Sequence, residues 1–216
     1  MKHRTRIKIC GITRPEDAEA AAWYGADAIG MVFHSSSVRA IDLASAREIV
    51  AAVPPFVSTV ALVVDPTREE VARIVDEIHP SFIQFHGEES PGFCAQFGVP
   101  FLRAIRMGEP GKAVDLLKCR HLFSAASALL LDAYVVGAAG GTGQAFDWQQ
   151  IPMDLRPGIV LAGGLRPDNV AKAIEQIRPW AVDVSSGVEG STKGIKEHTR
   201  LREFIEAVRR ADDTCK

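Results

Sequence analysis

Short apolar runs rich in β-branched residues recur along the chain, and stretches with a helical period separate them. Eight runs stand out: residues 6–10, 28–33, 57–64, 82–86, 101–106, 128–132, 159–163 and 181–185. Between them, Val71, Ile74, Val75 and Ile78 follow the i, i+3, i+4, i+7 spacing of one helix face, behind Thr67 and Glu70 as a capping box. Thr13 and Glu16 repeat that box before Ala18, Ala21 and Ala22. A stripe at Leu43, Ala46, Ile49, Val50 and Val53 follows Asp42 as a cap. Val170, Ala173, Ile174 and Ile177 form a further stripe, and Leu201, Phe204, Ile205 and Val208 the last. The sixth unit is the weakest: a glycine-rich stretch, 137–143, precedes only a short helix candidate near 147–151.

Strand–helix alternation predicts a parallel sheet, because parallel strands need crossover connections. Eight units in 216 residues, roughly 27 residues each, suit a closed (β/α)8 barrel near its lower size limit. No G-x-G-x-x-G follows the first strand, which argues against a dinucleotide-binding sheet. No linker interrupts the alternation, so residues 1–216 read as a single domain.

Composition narrows the class. The apolar fraction is 47% and the charged fraction 24%, with 25 Lys and Arg against 27 Asp and Glu for a net charge of −2. A disordered chain is excluded, and a nucleic-acid partner has no basic face to hold it. The basic start lacks a signal-peptide core, no apolar run is long enough for a membrane helix, and the four widely spaced cysteines form no C-x-x-C pair. The expectation is a reduced, cytoplasmic protein without membrane contact.

In such a barrel the chemistry sits at the C-terminal strand ends. Gly163-Gly164 and Ser185-Ser186-Gly187 fall in the loops after strands seven and eight, where backbone amides commonly hold phosphate, and Gly140-Gly141-Thr142-Gly143 offers a third wall. A glycine cluster can also simply turn the chain, but two in the two expected loops favour an anion site. Cys10 ends the first strand beside Lys8 and Gly11, and a nearby positive charge lowers a thiol's pKa toward neutral pH. Asp132 ends an otherwise apolar strand, so the two can face each other across the mouth as base and acid of an isomerisation. Cys94, Cys119 and Cys215 read as packing thiols. Arg39 is either solvated surface or a bidentate partner for a carboxylate.

These residues also carry a resemblance. Lys8-Ile9-Cys10-Gly11-Ile12-Thr13 resembles the signature of the phosphoribosylanthranilate isomerases of tryptophan biosynthesis. Supporting motifs run through Gly25-Ala26-Asp27, Ser37-Val38-Arg39, Gln84-Phe85-His86-Gly87-Glu88, Leu131-Asp132, Gly141-Thr142-Gly143, Leu161-Ala162-Gly163-Gly164-Leu165 and Val182-Asp183-Val184-Ser185-Ser186-Gly187-Val188-Glu189. The resemblance implies a cofactor-free and metal-free Amadori rearrangement of a small phosphorylated substrate, by a monomer or homodimer. It implies Asp132 as general acid, Cys10 as general base, and Arg39, His86 and Asp183 as substrate-binding residues. Gly143, Gly163, Gly164, Ser185, Ser186 and Gly187 would bind the phosphate. Val38 and Ala40 depart from the usual neighbours of Arg39 and should reshape the wall of the site. Two rivals stand beside this reading: a metal-dependent sugar-phosphate epimerase using His34, His86, Asp132 and Asp183, and a barrel that only binds a phosphorylated ligand.

Overall fold

The computed structural model describes residues 4–108, 111, 113–133 and 147–214. Eight parallel strands close into one barrel in sequence order: β1 Arg6–Ile9, β2 Ala28–Val32, β3 Ser58–Val63, β4 Phe82–Phe85, β5 Phe101–Met107, β6 Ala128–Ala133, β7 Ile159–Leu161 and β8 Ala181–Val184. The seam is β1 against β8, with Lys8 opposite Asp183. The expected (β/α)8 barrel is therefore the observed fold.

The period of two along each strand divides the side chains between two environments. Ile7, Ile9, Ile29, Met31, Ile83, Phe85, Leu129, Leu131 and Val182 point outward and merge with the helix faces in one large core. The intervening residues point into the barrel. Val60, Leu102, Ala104, Ala128, Leu130, Val160, Ala162 and Ala181 fill it with a separate apolar layer. Above that layer the inward positions become polar: Lys8, Gln84, Asp132 and Asp183 are all buried. Several strands stop one or two residues before the apolar runs do, leaving Cys10, His86, Gly163 and Ser185 just beyond the ladder at the mouth.

The helices are α1 Pro15–Tyr24, α2 Leu43–Ala52, α3 Arg68–Ile78, α4 Pro91–Ala95, α5 Leu116–Leu122, α6 Val170–Ile177 and α7 His198–Thr214. Thr67 and Glu70 form the full reciprocal capping box of α3, and Asp42 accepts from the Ser45 amide at the start of α2. The box expected at Thr13 is absent. Pro15 begins α1 at its first position, where a missing N–H costs nothing. The Thr13 hydroxyl instead donates to the Gly194 carbonyl, tying β1 to the long loop after β8. The sixth unit has no α-helix among its described residues. Asp147 caps a 3-10 turn over Trp148–Gln150, and a second turn spans Met153–Gly158. The glycine-rich stretch with Gly143 lies outside the described residues.

Thr67→Ala removes the side chain that accepts from the Glu70 amide. It should cost about 1 kcal/mol, read as a lower urea midpoint at unchanged slope. An unchanged midpoint would show that α3 is held by its buried face alone.

Candidate active site

The C-terminal mouth of the barrel holds a cavity of about 770 Å³, open to solvent. Cys10, Asp132, Arg39, His86, Asp183, Gly163, Gly164, Ser185, Ser186 and Gly187 all line it, so ten of the eleven expected site residues converge there. The eleventh, Gly143, is not among the described residues.

Across the floor run two linked pairs. Lys8 Nζ donates to Asp183 Oδ1 at 2.9 Å, both side chains nearly inaccessible. Burial disfavours the Lys8 ammonium, but Asp183 and Cys10 outweigh it and hold the lysine pKa above its ordinary value. Gly30 on β2 makes room for this arrangement: a Cβ there would lie 3.0 Å from Cys10 Sγ and 3.1 Å from Lys8 Nζ. On the facing side, His86 Nε2 lies 3.3 Å from Asp132 Oδ2. The Gln84 amide nitrogen, 3.1 Å from His86 Nδ1, can only donate there, which assigns the proton of a neutral ring to Nε2, the nitrogen on the Asp132 side.

The thiol behaves differently from the simple expectation. Burial pushes the Cys10 pKa above its ordinary value, Asp183 adds to the rise, and the pull of Lys8 and Lys196 does not overcome them. Cys94 is buried too, and its thiol is pushed up to about 11 by desolvation. Only Cys10 of these two lines the cavity.

The loops after β7 and β8 bring backbone close to backbone. Gly163 and Gly164 have φ of 79° and 70°, and a Cβ on Gly163 would sit 2.1 Å from the Ala133 amide nitrogen. A Cβ on Gly187 would sit 1.9 Å from the Leu165 carbonyl oxygen. Neither glycine is a mere turn: no side chain fits. Ser186–Val188 forms a 3-10 turn at the cavity edge, whose leading amides have no partner within the turn.

Arg39 is not solvated surface. It is buried, and its Nε and Nη2 donate to Glu189 Oε1 and Oε2 at 2.6 and 2.8 Å. The bidentate carboxylate partner expected for it thus comes from the chain itself. Val38 and Ala40 are exposed and are not among the residues that line the cavity.

Several lining residues carried no assignment in the sequence: Val32, Leu62 and Val64 as an apolar wall, with Gln84 and Arg106 as polar ones. Strand parity was the available signal, since each lies two residues from another inward position. Among the described residues, no group of three or more His, Cys, Asp and Glu could hold a metal ion.

The comparisons agree with this geometry. The family model described as N-(5'phosphoribosyl)anthranilate (PRA) isomerase matches residues 7–207. An N-(5'-phosphoribosyl)anthranilate isomerase from Pseudomonas aeruginosa is 53% identical over 211 residues, covering 97% of this chain and 98% of that protein. The crystal structure of the phosphoribosyl anthranilate isomerase from Thermotoga maritima superposes with a TM-score of 0.84 at 36% identity, over 95% of this chain and 99% of that one. A related structure, in complex with reduced 1-(o-carboxyphenylamino)-1-deoxyribulose 5-phosphate, gives 0.81 at 34% identity over the same shares. A third, of monomers generated from the dimeric Thermotoga maritima protein, gives 0.81 at 33% identity, also over 95% and 99%. With a barrel of this order, a cavity at this end and relatives of this closeness, the chain belongs to the N-(5'-phosphoribosyl)anthranilate isomerase family.

Proposed function

We propose that Cys10 and Asp132 divide the acid–base work of the family's reaction, the conversion of N-(5-phosphoribosyl)anthranilate to 1-(2-carboxyphenylamino)-1-deoxyribulose 5-phosphate in cytoplasmic tryptophan biosynthesis. The observation that carries this reading is their placement. They line one cavity from strands β1 and β6, which are not neighbours, with the Lys8–Asp183 pair between.

Asp132 gives its proton to the ribose ring oxygen. The C1′–O bond breaks, and the anthranilate nitrogen supplies the electron pair, leaving an open-chain iminium. Cys10 then takes the proton from C2′, and the electron pair of that C–H bond flows to the iminium. The resulting enolamine tautomerises to the ketone: C1′ gains a proton as the C2′ hydroxyl gives one up. The iminium is the electron sink, so the residues need supply only protons, positions and charge. His86 orients the Asp132 carboxyl through the contact at 3.3 Å. The amides about Gly163, Gly164, Ser185, Ser186 and Gly187 hold the phosphate. The apolar wall of Val32, Leu62 and Val64 receives the aromatic ring, and Arg39 meets its carboxylate.

Among the described residues no helix is long and apolar enough to cross a membrane.

Cys10→Ser replaces the thiol with a far weaker acid, and Asp132→Asn cannot release an acidic proton. Each should lower kcat by about 10² to 10⁴ while substrate still binds, whereas Cys119→Ser should change it within a few-fold. The readout is the loss of phosphoribosylanthranilate fluorescence. If Cys10→Ser matches Cys119→Ser, Cys10 is a packing thiol.

The raised thiol makes a second prediction. A group whose pKa lies above the ordinary 9.0 is mostly protonated at neutral pH and gains thiolate as pH rises. Iodoacetamide labelling of Cys10, followed by peptide mass, should therefore still be accelerating above pH 9. A plateau reached below pH 8 would mean that Lys8 and Lys196 dominate over burial.

A further inference from the structure

We propose that Glu189 and Lys196 are positioning residues for the Arg39 anchor: Glu189 fixes the plane of its guanidinium, and Lys196 keeps the cluster net positive. This rests on the reading of Arg39 as the group that meets the substrate carboxylate.

The geometry is specific. A guanidinium is planar, so fixing one edge fixes the whole group. Glu189 occupies the Nε and Nη2 edge at 2.6 and 2.8 Å, which leaves the Nη1 and Nη2 fork for a ligand. The aliphatic stem is constrained as well. Gly11 has φ of 70°, and a Cβ there would lie 2.4 Å from Arg39 Cδ, so the stem passes directly over the glycine.

An arginine fully paired with a glutamate presents no net charge to an anion. Lys196 supplies the missing one. Its Nζ is inaccessible and donates to Glu189 Oε1 and to the Ser185 carbonyl, each at 3.1 Å. Burial draws the Lys196 pKa below its ordinary value while Glu189 and Cys10 oppose that, and with the lysine protonated two cations share one carboxylate, leaving one positive charge at the edge of the cavity. Lys196 is itself held from outside the site. Its backbone amide donates to Asp17 Oδ2 at 3.0 Å, and Asp17 is gripped by Arg14 and His198 at 2.7 and 3.0 Å. Glu189 and Lys196 also form an antiparallel bridge between their backbones. A single turn of the loop after β8 therefore presents both residues to Arg39 in fixed register.

Charge and orientation make opposite predictions, which allows a clean test. Glu189→Gln adds a net positive charge but loosens the guanidinium. Lys196→Met removes the excess charge while Arg39 keeps its partner. The double variant has the wild-type net charge without the orientation. The probes are reduced 1-(o-carboxyphenylamino)-1-deoxyribulose 5-phosphate and its phenyl counterpart lacking the carboxylate, with affinities measured calorimetrically. Each single variant should weaken the carboxylate ligand about tenfold, the double variant should not recover, and the phenyl ligand should change less than about twofold.

If Glu189→Gln binds the carboxylate ligand as tightly as wild type or more tightly, charge alone operates and the proposal is overturned. Equal losses for both ligands overturn it too, because the cluster then merely holds the loop. Arg39→Met separates the underlying reading: no loss of the carboxylate ligand there removes Arg39 as the anchor and the proposal with it. A loss there without one in Glu189→Gln overturns the positioning role alone.

Discussion

An ammonium and a carboxylate face each other inside the closed barrel, and the rest of the site is arranged around them. Lys8 and Asp183 lie opposite each other across the β1–β8 seam. Desolvating two such charges is costly, and their attraction only repays it when the geometry is good. Removing either partner would leave an uncompensated buried charge, at a cost of about 3–5 kcal/mol. The pair is also where Cys10 rests, with Gly30 keeping the space above both side chains clear. Fold and chemistry thus share one interaction: the ion pair bridges the closing strands and sets the electrostatic surroundings of the thiol.

The barrel interior shows how this is afforded. Its lower layer is apolar, from Val60 and Leu102 round to Ala181, and carries the packing. Gln84, Asp132 and Asp183 enter nearer the C-terminal ends, where they meet the cavity. Each has a partner: Lys8 with Asp183, His86 with Asp132, Arg39 with Glu189. The exception is the Gln84 carbonyl oxygen, which is buried without a protein partner beside the cavity. Glycines at 163 and 187 let the loops after β7 and β8 pack close against neighbouring backbone, at distances no side chain allows.

Much of this was legible in the sequence because it is local or periodic. Strand runs, the α3 capping box and the amphipathic stripes depend on neighbouring residues, and the structure contains them. The closed barrel follows from their count, and the convergence of Cys10, Asp132, His86 and Asp183 follows from their positions at strand ends. What could not be read depends on distant partners. Thr13 looked like a cap, but the carbonyl of Gly194 takes its hydroxyl, and no local rule foresees that. Arg39 reads as solvated surface or as the partner of a carboxylate, and nothing local says that Glu189, 150 positions away, takes its Nε and Nη2 edge. The Cys10 thiol looked activated by Lys8, but burial, a property of the whole fold, outweighs the neighbour.

The proposed function places three groups in the cavity: the carboxylate at Arg39, the phosphate at the β7 and β8 loops, and the reacting carbons between Cys10 and Asp132. The most direct measurement is a crystal structure of this chain with reduced 1-(o-carboxyphenylamino)-1-deoxyribulose 5-phosphate bound. The expected pose puts C2 against Cys10 Sγ, the former ring oxygen against the Asp132 carboxyl, the phosphate on the amides about Gly164 and Gly187, and the ring carboxylate on the open fork of Arg39. A ligand lying in the reverse sense, with its phosphate at Arg39 or with C2 remote from Cys10, would contradict it.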